Sequence, residues 1–184
     1  SQLSIFSELN NLKNISMLTD YAGVCGITKE EMIAAMSDYI DDFAEAQEIT
    51  REEAIEGLKR QYDGYHFTWP SPDIYNPFSL LNAFQDHDYT NYWFGSGTPT
   101  YLIEMLRKFN VVPSDMNKMQ TLASDFDAPT ENMASITPLL YQSGYVTIKD
   151  FNRATRLYTL DTPNTEIRVG LMDSLLPNYV SMRK

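Results

Sequence analysis

The sequence predicts a mainly α-helical fold with one small β-hairpin. Three observations support this prediction: two capping boxes that each precede an amphipathic stripe, later helix starts in which a polar residue precedes proline, and two alternating segments around a polar turn. We expect a helical region over residues 1–130, followed by a winged-helix-like unit over residues 131–184.

Each capping box is a threonine followed three residues later by a glutamate. Thr28 pairs with Glu31 and Thr50 with Glu53, so that each hydroxyl caps a first-turn amide and each carboxylate returns to the threonine amide. Apolar residues then recur at spacings of three and four, which is typical of amphipathic helices. In the first stripe these are Met32, Ile33, Met36, Tyr39, Ile40 and Phe43, and in the second Ala54, Ile55, Leu58 and Tyr62. We expect a helical hairpin here, and a short helix within residues 4–15.

Proline marks the later helix starts. Asn76-Pro77 combines a good N-cap with proline at the first helical position, where the missing N–H is not needed. Thr98-Pro99 has the same pattern, and Thr162-Pro163 is expected to start the last helix. After Asn76-Pro77, the inward residues are expected to be either Phe78, Leu81 and Phe84 or Leu80 and Phe84.

The hairpin is predicted near the C-terminal end. Residues 114–131 are polar and indicate a connector with room for a short helix. Residues 136–142 predict a helix that ends at Gly144, and residues 145–148 and 157–160 predict two strands. The order helix, hairpin, helix favours a winged-helix-like unit.

Composition excludes several classes of protein. The chain is 43% hydrophobic and 21% charged, as in ordinary globular domains, and no apolar run approaches the roughly 20 residues that cross a bilayer. We expect a cytoplasmic protein without a membrane partner. The single cysteine, Cys25, excludes an internal disulfide and is expected to be a buried thiol rather than a nucleophile. Because the first residue is Ser1 rather than methionine, we expect part of a longer protein, although processing or removal of a tag would also leave a serine.

Several blocks of sequence resemble a known family. They are Tyr62-Asp63-Gly64-Tyr65-His66-Phe67, Tyr75-Asn76-Pro77-Phe78-Ser79-Leu80-Leu81, Tyr92-Trp93-Phe94-Gly95-Ser96-Gly97-Thr98-Pro99 and Asn164-Thr165-Glu166-Ile167-Arg168, with an earlier block at residues 4–12. Together they resemble the AAA-ATPase-like family, P-loop ATPases that often precede a PD-(D/E)XK nuclease-like domain. In the last block Ile167 stands where valine is commoner in the family.

The phosphate-binding motif of such ATPases is absent. No G-x-x-x-x-G-K-[ST] occurs in the 184 residues, so the backbone cradle and the lysine that hold nucleotide phosphates are missing. The resemblance implies that this chain follows the nucleotide-binding core, that it contains no catalytic or metal-binding residue, and that it holds no cofactor by itself. It implies ATP and magnesium for the longer protein, whose upstream ATPase core and downstream nuclease-like domain would be the partners of this chain.

Gly97, Thr98 and Pro99 are the candidate cofactor-binding residues. The stretch over residues 95–102 resembles a Gly-x-Pro-x-x-Leu element in the lid subdomains of AAA+ and STAND-type ATPases, which lies at a helix start beside the nucleotide. Gly97 would let the backbone approach closely, and the amides of the helix start would face an anion. The alternative is a glycine turn before an ordinary Thr-Pro cap.

Other polar groups have structural explanations that we prefer. Asp63 and His66 would form an acid–base pair on one side of an extended segment, but we favour a structural aromatic turn around Asp-Gly. Asp86-His87-Asp88 is expected to be a solvated loop, since adjacent residues rarely converge on one metal ion. A further acidic set is expected on the exposed face of a helix: Asp38, Asp41, Asp42, Glu45 and Glu48.

The net charge of −11 opposes nucleic-acid binding over a broad surface. Lys149, Arg153 and Arg156 gather around the predicted hairpin turn, but residues 135–141 offer no arginine, lysine or asparagine to read base edges. We therefore do not expect direct nucleic-acid binding, and favour a packing module between an ATPase and its downstream domain.

The leading hypothesis is a non-catalytic lid-like and winged-helix-like region that closes over nucleotide and couples closure to the downstream domain. The alternative is a free-standing protein- or DNA-interaction module, and a third hypothesis is a hydrolase using Asp63 and His66. A P-loop encoded upstream favours the first, whereas a natural start codon directly before Ser1 contradicts it.

Overall fold

A computed structural model of the chain describes residues 23, 26–95, 100–130 and 133–180, with the backbone alone at 94–95, 113–114 and 176–180. The helix predicted within residues 4–15, Cys25, and the candidate site residues Gly97, Thr98 and Pro99 lie outside the described residues.

The chain divides into two compact units, each built from separate stretches. Among the described residues, the first comprises 66–71, 100–130 and 133–162, and the second 23, 26–65, 72–95 and 163–180. These units are discontinuous in sequence, whereas the predicted division at residue 130 is continuous, and that division stays a prediction.

The second unit contains two short strands and six helices among the residues described. These are β1 (Ile27–Thr28), α1 (Lys29–Ala35), α2 (Ser37–Ala46), α3 (Arg51–Tyr62), β2 (Ile74–Tyr75), α4 (Pro77–Asp86), α5 (Tyr92–Gly95) and α9 (Thr165–Val180). Strands β1 and β2 pair antiparallel, with Ile27 opposite Tyr75 and Thr28 opposite Ile74. Helix α9 packs against α3 and α5.

Both predicted capping boxes are confirmed. The Thr28 hydroxyl accepts from the Glu31 amide at 3.2 Å, and the Glu31 carboxylate accepts from the Thr28 amide at 2.8 Å. Thr50 and Glu53 repeat this geometry with the same two distances. The first predicted stripe is broken at Met36, which has non-helical backbone angles and separates α1 from α2.

The core of this unit is the junction of α2, α3 and α4. Its fully buried side chains belong to Ile40, Phe43, Ala54, Leu58, Tyr62, Leu80 and Ala83. Asn76 caps α4 as predicted, since its side-chain oxygen accepts from the Phe78 amide at 3.0 Å. Of the two alternatives for α4, the second is right: Leu80 and Phe84 are buried, whereas Phe78 and Leu81 are exposed.

The first unit contains a three-stranded antiparallel sheet with strand order β3-β5-β4. Its described elements are α6 (Thr100–Lys108), a 3-10 helix (Pro113–Met116), β3 (Met119–Thr121), α7 (Ala123–Phe126), α8 (Thr137–Gln142), β4 (Thr147–Asn152) and β5 (Leu157–Asp161). The predicted hairpin is β4–β5, and the predicted helix end is confirmed by Gly144, which follows α8 with a φ of 77°.

Aromatic side chains fill part of the core of the first unit. The Phe126 ring meets those of Tyr141 and Tyr158 edge to face, with centroids 4.6 and 5.3 Å apart. Thr147 holds residues 66–71 to β4, because its hydroxyl accepts from the His66 amide and donates to the His66 carbonyl, both at 2.8 Å.

The predicted fold class is wrong. The described residues contain two antiparallel sheets rather than one hairpin, so the fold is mixed α/β rather than mainly α. The missed strand β3 lies within the predicted connector; three residues are too short to show alternation, and they pair with the distant β5. Helix α8 and the hairpin belong to the first unit and α9 to the second, and the winged-helix-like unit stays a prediction.

Candidate functional site

The most unusual group in the second unit is a buried carboxylate in the first turn of α9. Glu166 has no exposed surface. Its Oε1 accepts a hydrogen bond from the Ser79 hydroxyl at 3.0 Å and another from the Trp93 amide at 2.8 Å. One carboxylate oxygen therefore ties the beginning of α9 to the first turn of α4 and to α5.

The other carboxylate oxygen is also buried. Glu166 Oε2 has no hydrogen-bond partner within the part of the chain that the structure describes. Burial raises the pKa of Glu166, and the hydrogen bonds from Trp93 and Ser79 partly oppose this effect. Folding therefore disfavours the ionised form of this side chain.

Asn164 connects the same region to the Asp-Gly turn. Its side-chain oxygen caps α9 by accepting from the Ile167 amide at 3.1 Å, while its Nδ2 donates to the Asp63 carbonyl at 3.0 Å. The predicted cap at Thr162-Pro163 is thus wrong by two residues. Gly64, which follows Asp63, has a φ of 96°, a conformation that glycine adopts without steric cost.

Two tyrosines from the Asp-Gly block, Tyr62 and Tyr65, lie near enough to Glu166 to be affected by its charge. Burial and then the charge of Glu166 raise the pKa of Tyr65, whereas hydrogen bonds with Asn76 and Asn164 act in the opposite direction. Burial and the charge of Glu166 also raise the pKa of Tyr62, whose hydroxyl donates to the Thr90 carbonyl at 2.9 Å. We call the group Tyr65, Ser79, Trp93, Asn164 and Glu166 the Glu166 cluster.

The Glu166 cluster joins elements and does not expose reactive groups. A Ser–carboxylate hydrogen bond is one component of an activated nucleophile, but Ser79 and Glu166 both have no exposed surface, so no dissolved substrate reaches the hydroxyl. What the arrangement does chemically is to fix three helix starts relative to one another through hydrogen bonds to one carboxylate oxygen.

The predicted site residues either lie outside the described residues or are hydrogen-bonded locally. Gly97, Thr98 and Pro99 lie outside the described residues. Asp63 accepts from the Gly64 amide at 2.8 Å, and the Nδ1 of His66 lies 2.9 Å from the Ser71 hydroxyl. Both Asp63 and His66 are buried and hydrogen-bonded locally, as the structural explanation of this block predicts.

The predicted acidic surfaces are exposed. Residues 86–88 lie on the surface, where Asp88 accepts from the Tyr89 amide at 2.7 Å. The five acidic residues of the helix-face set are exposed as well, and one of them, Asp41, forms an ion pair with Arg51. Within the described ranges, no three His, Cys, Asp or Glu side chains are grouped so that they could hold a metal ion.

The basic residues at the hairpin turn are on the surface. Arg153 and Arg156 are exposed and Lys149 is half-buried, and the Arg156 guanidinium lies 5.8 Å from the centre of the Phe151 ring. Asp150 is exposed on the same strand as Lys149. This turn therefore presents a small patch of mixed charge rather than a broad basic surface.

Sequence reasoning missed the Glu166 cluster as a group. Its members were noted in separate blocks, but none was predicted to be a buried polar contact. One signal was present: Glu166 immediately precedes the apolar Ile167 and stands four residues before Gly170 and five before Leu171, on the side of α9 that is buried. A charged residue on the apolar side of a helix indicates a paired, buried group.

Comparison with known proteins finds a longer relative. The chain is 34% identical over 185 residues to a protein of Azotobacter chroococcum mcd 1 described as "Uncharacterized protein in vnfD 5'region", and the match covers 98% of this chain. The chain spans 33% of the length of that relative. No family model matches the chain, and no solved structure matches it. Among the described helices, none is both long and apolar enough to cross a membrane.

Proposed function

We propose that this chain is a non-catalytic, lid-like module of a cytoplasmic P-loop ATPase of the AAA-ATPase-like kind. In this proposal it closes over nucleotide held by an upstream core and passes that closure to a downstream nuclease-like domain. The observation that carries the proposal is the Glu166 cluster, because residues from all four later blocks of the resemblance meet there: Tyr65, Ser79, Trp93, and Asn164 with Glu166.

The cluster supplies a route for coupling. Glu166 holds the amide of Trp93, in α5, and the chain passes from α5 directly to Gly97, Thr98 and Pro99 before α6 begins at Thr100. The same carboxylate lies in the first turn of α9, which runs toward the C-terminal end of the chain. A movement of Gly97, Thr98 and Pro99 would thus change the position of Trp93 and, through its hydrogen bond with Glu166, the position of the first turn of α9. Such coupling requires that the contacts differ between the nucleotide-bound and free states.

The proposal assigns no chemistry to the chain itself. ATP and magnesium would be held by the P-loop and the acidic strand of the upstream core, since the sequence here contains no G-x-x-x-x-G-K-[ST]. Gly97, Thr98 and Pro99 would add only backbone amides and one apolar ring at the edge of the nucleotide. The larger size of the Azotobacter relative, of which this chain matches 33%, supports a module within a longer protein.

Calorimetry with Mg-ATP tests the proposal. The isolated chain is expected to give no binding heat, whereas the longer protein that contains it is expected to bind. Micromolar binding by the isolated chain, or no binding by the longer protein, would overturn the proposal. The coding sequence upstream of Ser1 distinguishes this proposal from the alternative, a free-standing interaction module. The proposal requires a P-loop to be encoded there, whereas the free-standing module does not.

A further inference from the structure

Three large apolar side chains in the second unit are unusually exposed. Tyr39 on α2 is 59% exposed, and on α4 Leu81 is 52% and Phe78 is 49% exposed. Phe78, Leu81 and Phe84 follow one another at three-residue steps, which places them along one side of α4. The Tyr39 ring packs against Phe84, which is itself buried, with ring centroids 6.0 Å apart, so Tyr39 lies beside α4. We call Tyr39, Phe78 and Leu81 the α2–α4 face.

The surroundings of the α2–α4 face are acidic. On α2, Asp38 directly precedes Tyr39 and Asp42 follows it by three residues. Asp86 is the last residue of α4, and all three aspartates are exposed. Residues 30–50 contain seven Asp or Glu and no Lys or Arg. Residues 72–95 contain three Asp or Glu and likewise no Lys or Arg. The nearby Arg51 forms an ion pair with Asp41. The two segments that carry the α2–α4 face are therefore acidic, with little local compensation.

We propose that the α2–α4 face binds a basic amphipathic helix of another protein. Apolar strips rimmed by charged residues mark interaction sites, and an amphipathic helix presents large apolar residues at the three- and four-residue spacing that such a strip accepts. Lysines or arginines beside that apolar side would meet Asp38, Asp42 and Asp86. This inference goes beyond the proposed nucleotide-dependent role and does not rest on it.

The charges argue against other occupants. A symmetric dimer through this face would bring two acidic borders together, which opposes association. Nucleic acids and anionic lipid surfaces would be repelled for the same reason. A basic amphipathic helix would present apolar side chains to the α2–α4 face and positive charges to the acidic residues of α2 and α4.

The test is a fluorescence-anisotropy titration of the chain with a labelled helical peptide built of leucine and lysine. A second peptide has glutamate in place of lysine and the same leucine positions. The Leu–Lys peptide is expected to bind, with affinity that falls as salt rises, and the Leu–Glu peptide is not. Leu81→Ser is expected to weaken binding about tenfold, equivalent to about 1.4 kcal/mol. Asp42→Asn is expected to weaken binding and to reduce its salt dependence.

Tyr101→Ser provides the matched control, because Tyr101 is 57% exposed on α6, in the other unit. It should leave affinity unchanged, which separates the α2–α4 face from general attraction to an acidic protein. Thermal unfolding of each variant checks that the chain is folded. Equal affinity for Leu81→Ser and the unchanged chain, or equal binding of both peptides, would overturn the proposal. A dimer in size-exclusion chromatography that Leu81→Ser abolishes would also overturn it, since the occupant would then be a second copy.

Discussion

The hydroxyl of Ser79 lies 3.0 Å from the Oε1 of Glu166, and neither side chain has any exposed surface. The two residues are far apart in sequence, in α4 and α9, and the hydrogen bond between them joins two of the blocks that resemble the AAA-ATPase-like family. A buried carboxylate is costly unless donors surround it, so this contact is expected to be sensitive to substitution.

The Ser79–Glu166 contact can be measured with a double-mutant cycle. Ser79→Ala is expected to lower the free energy of unfolding by on the order of 2 kcal/mol, because it removes a donor from a buried carboxylate. Combined with Glu166→Leu, which removes the acceptor oxygens, the effects should be non-additive by on the order of 1 kcal/mol. Urea unfolding of the four proteins checks this, and additive effects would show that the two side chains do not interact.

The protonation of Glu166 predicts a pH dependence. Because burial raises its pKa above the usual 4.5, the folded state holds the proton more tightly than the unfolded state. The stability that Glu166 contributes is thus fully present below pH 4.5 and is lost as pH rises through the higher pKa of the folded state. The free energy of unfolding of the unchanged chain minus that of Glu166→Gln should therefore fall with rising pH in this range.

Glu31→Gln supplies a control in which the stability difference is expected to change with pH in the opposite direction. Hydrogen bonds from the amide and hydroxyl of Thr28 lower the pKa of Glu31, so its contribution to stability is lost as pH falls. The corresponding difference for Glu31 should rise with pH below about 4.5. Unfolding titrations at several pH values measure both differences. A Glu166 difference that is flat, or that rises with pH, contradicts the account of its burial.

Two buried tyrosines of the second unit allow a matched comparison. Tyr62 Oη donates to the Thr90 carbonyl at 2.9 Å, whereas Tyr75 Oη is buried without a hydrogen-bond partner among the described residues. Tyr62→Phe should lower the free energy of unfolding by about 1 kcal/mol, because the Thr90 carbonyl loses its donor. Tyr75→Phe should leave it unchanged or raise it by about 1 kcal/mol. Thermal or urea unfolding measures both, and an equal loss in the two variants would contradict the assigned contacts.

Local sequence patterns predicted the parts of the fold that depend on local interactions. The capping boxes at Thr28 and Thr50 and the cap at Asn76 involve atoms within three residues, so the sequence alone specifies them. The strand β3 was missed because it is stabilised by pairing with β5, a contact that no short pattern records. The Glu166 cluster was missed for the same reason, since it requires α4, α5 and α9 to meet.

The location of α9 also depends on tertiary structure. The order of α8, the hairpin and α9 favoured a winged-helix-like unit, yet α9 packs with α3 and α5 in the other unit. In that unit Asn164 donates to the Asp63 carbonyl and Glu166 accepts from the Trp93 amide. These contacts join residues that are distant in sequence, so no short pattern predicts where α9 packs.

The most direct test of the proposed function concerns Gly97 and Pro99 in the longer protein, with nucleotide affinity and nucleotide-free thermal stability measured side by side. Pro99→Ala is expected to weaken nucleotide binding by on the order of 1 kcal/mol, because one apolar contact with the base or ribose is lost. Gly97→Val should weaken it more, since a branched side chain blocks close approach of the backbone. The account predicts lower affinity with unchanged melting temperature in the absence of nucleotide. A lower melting temperature with unchanged affinity would contradict it and show that these residues form only a structural turn.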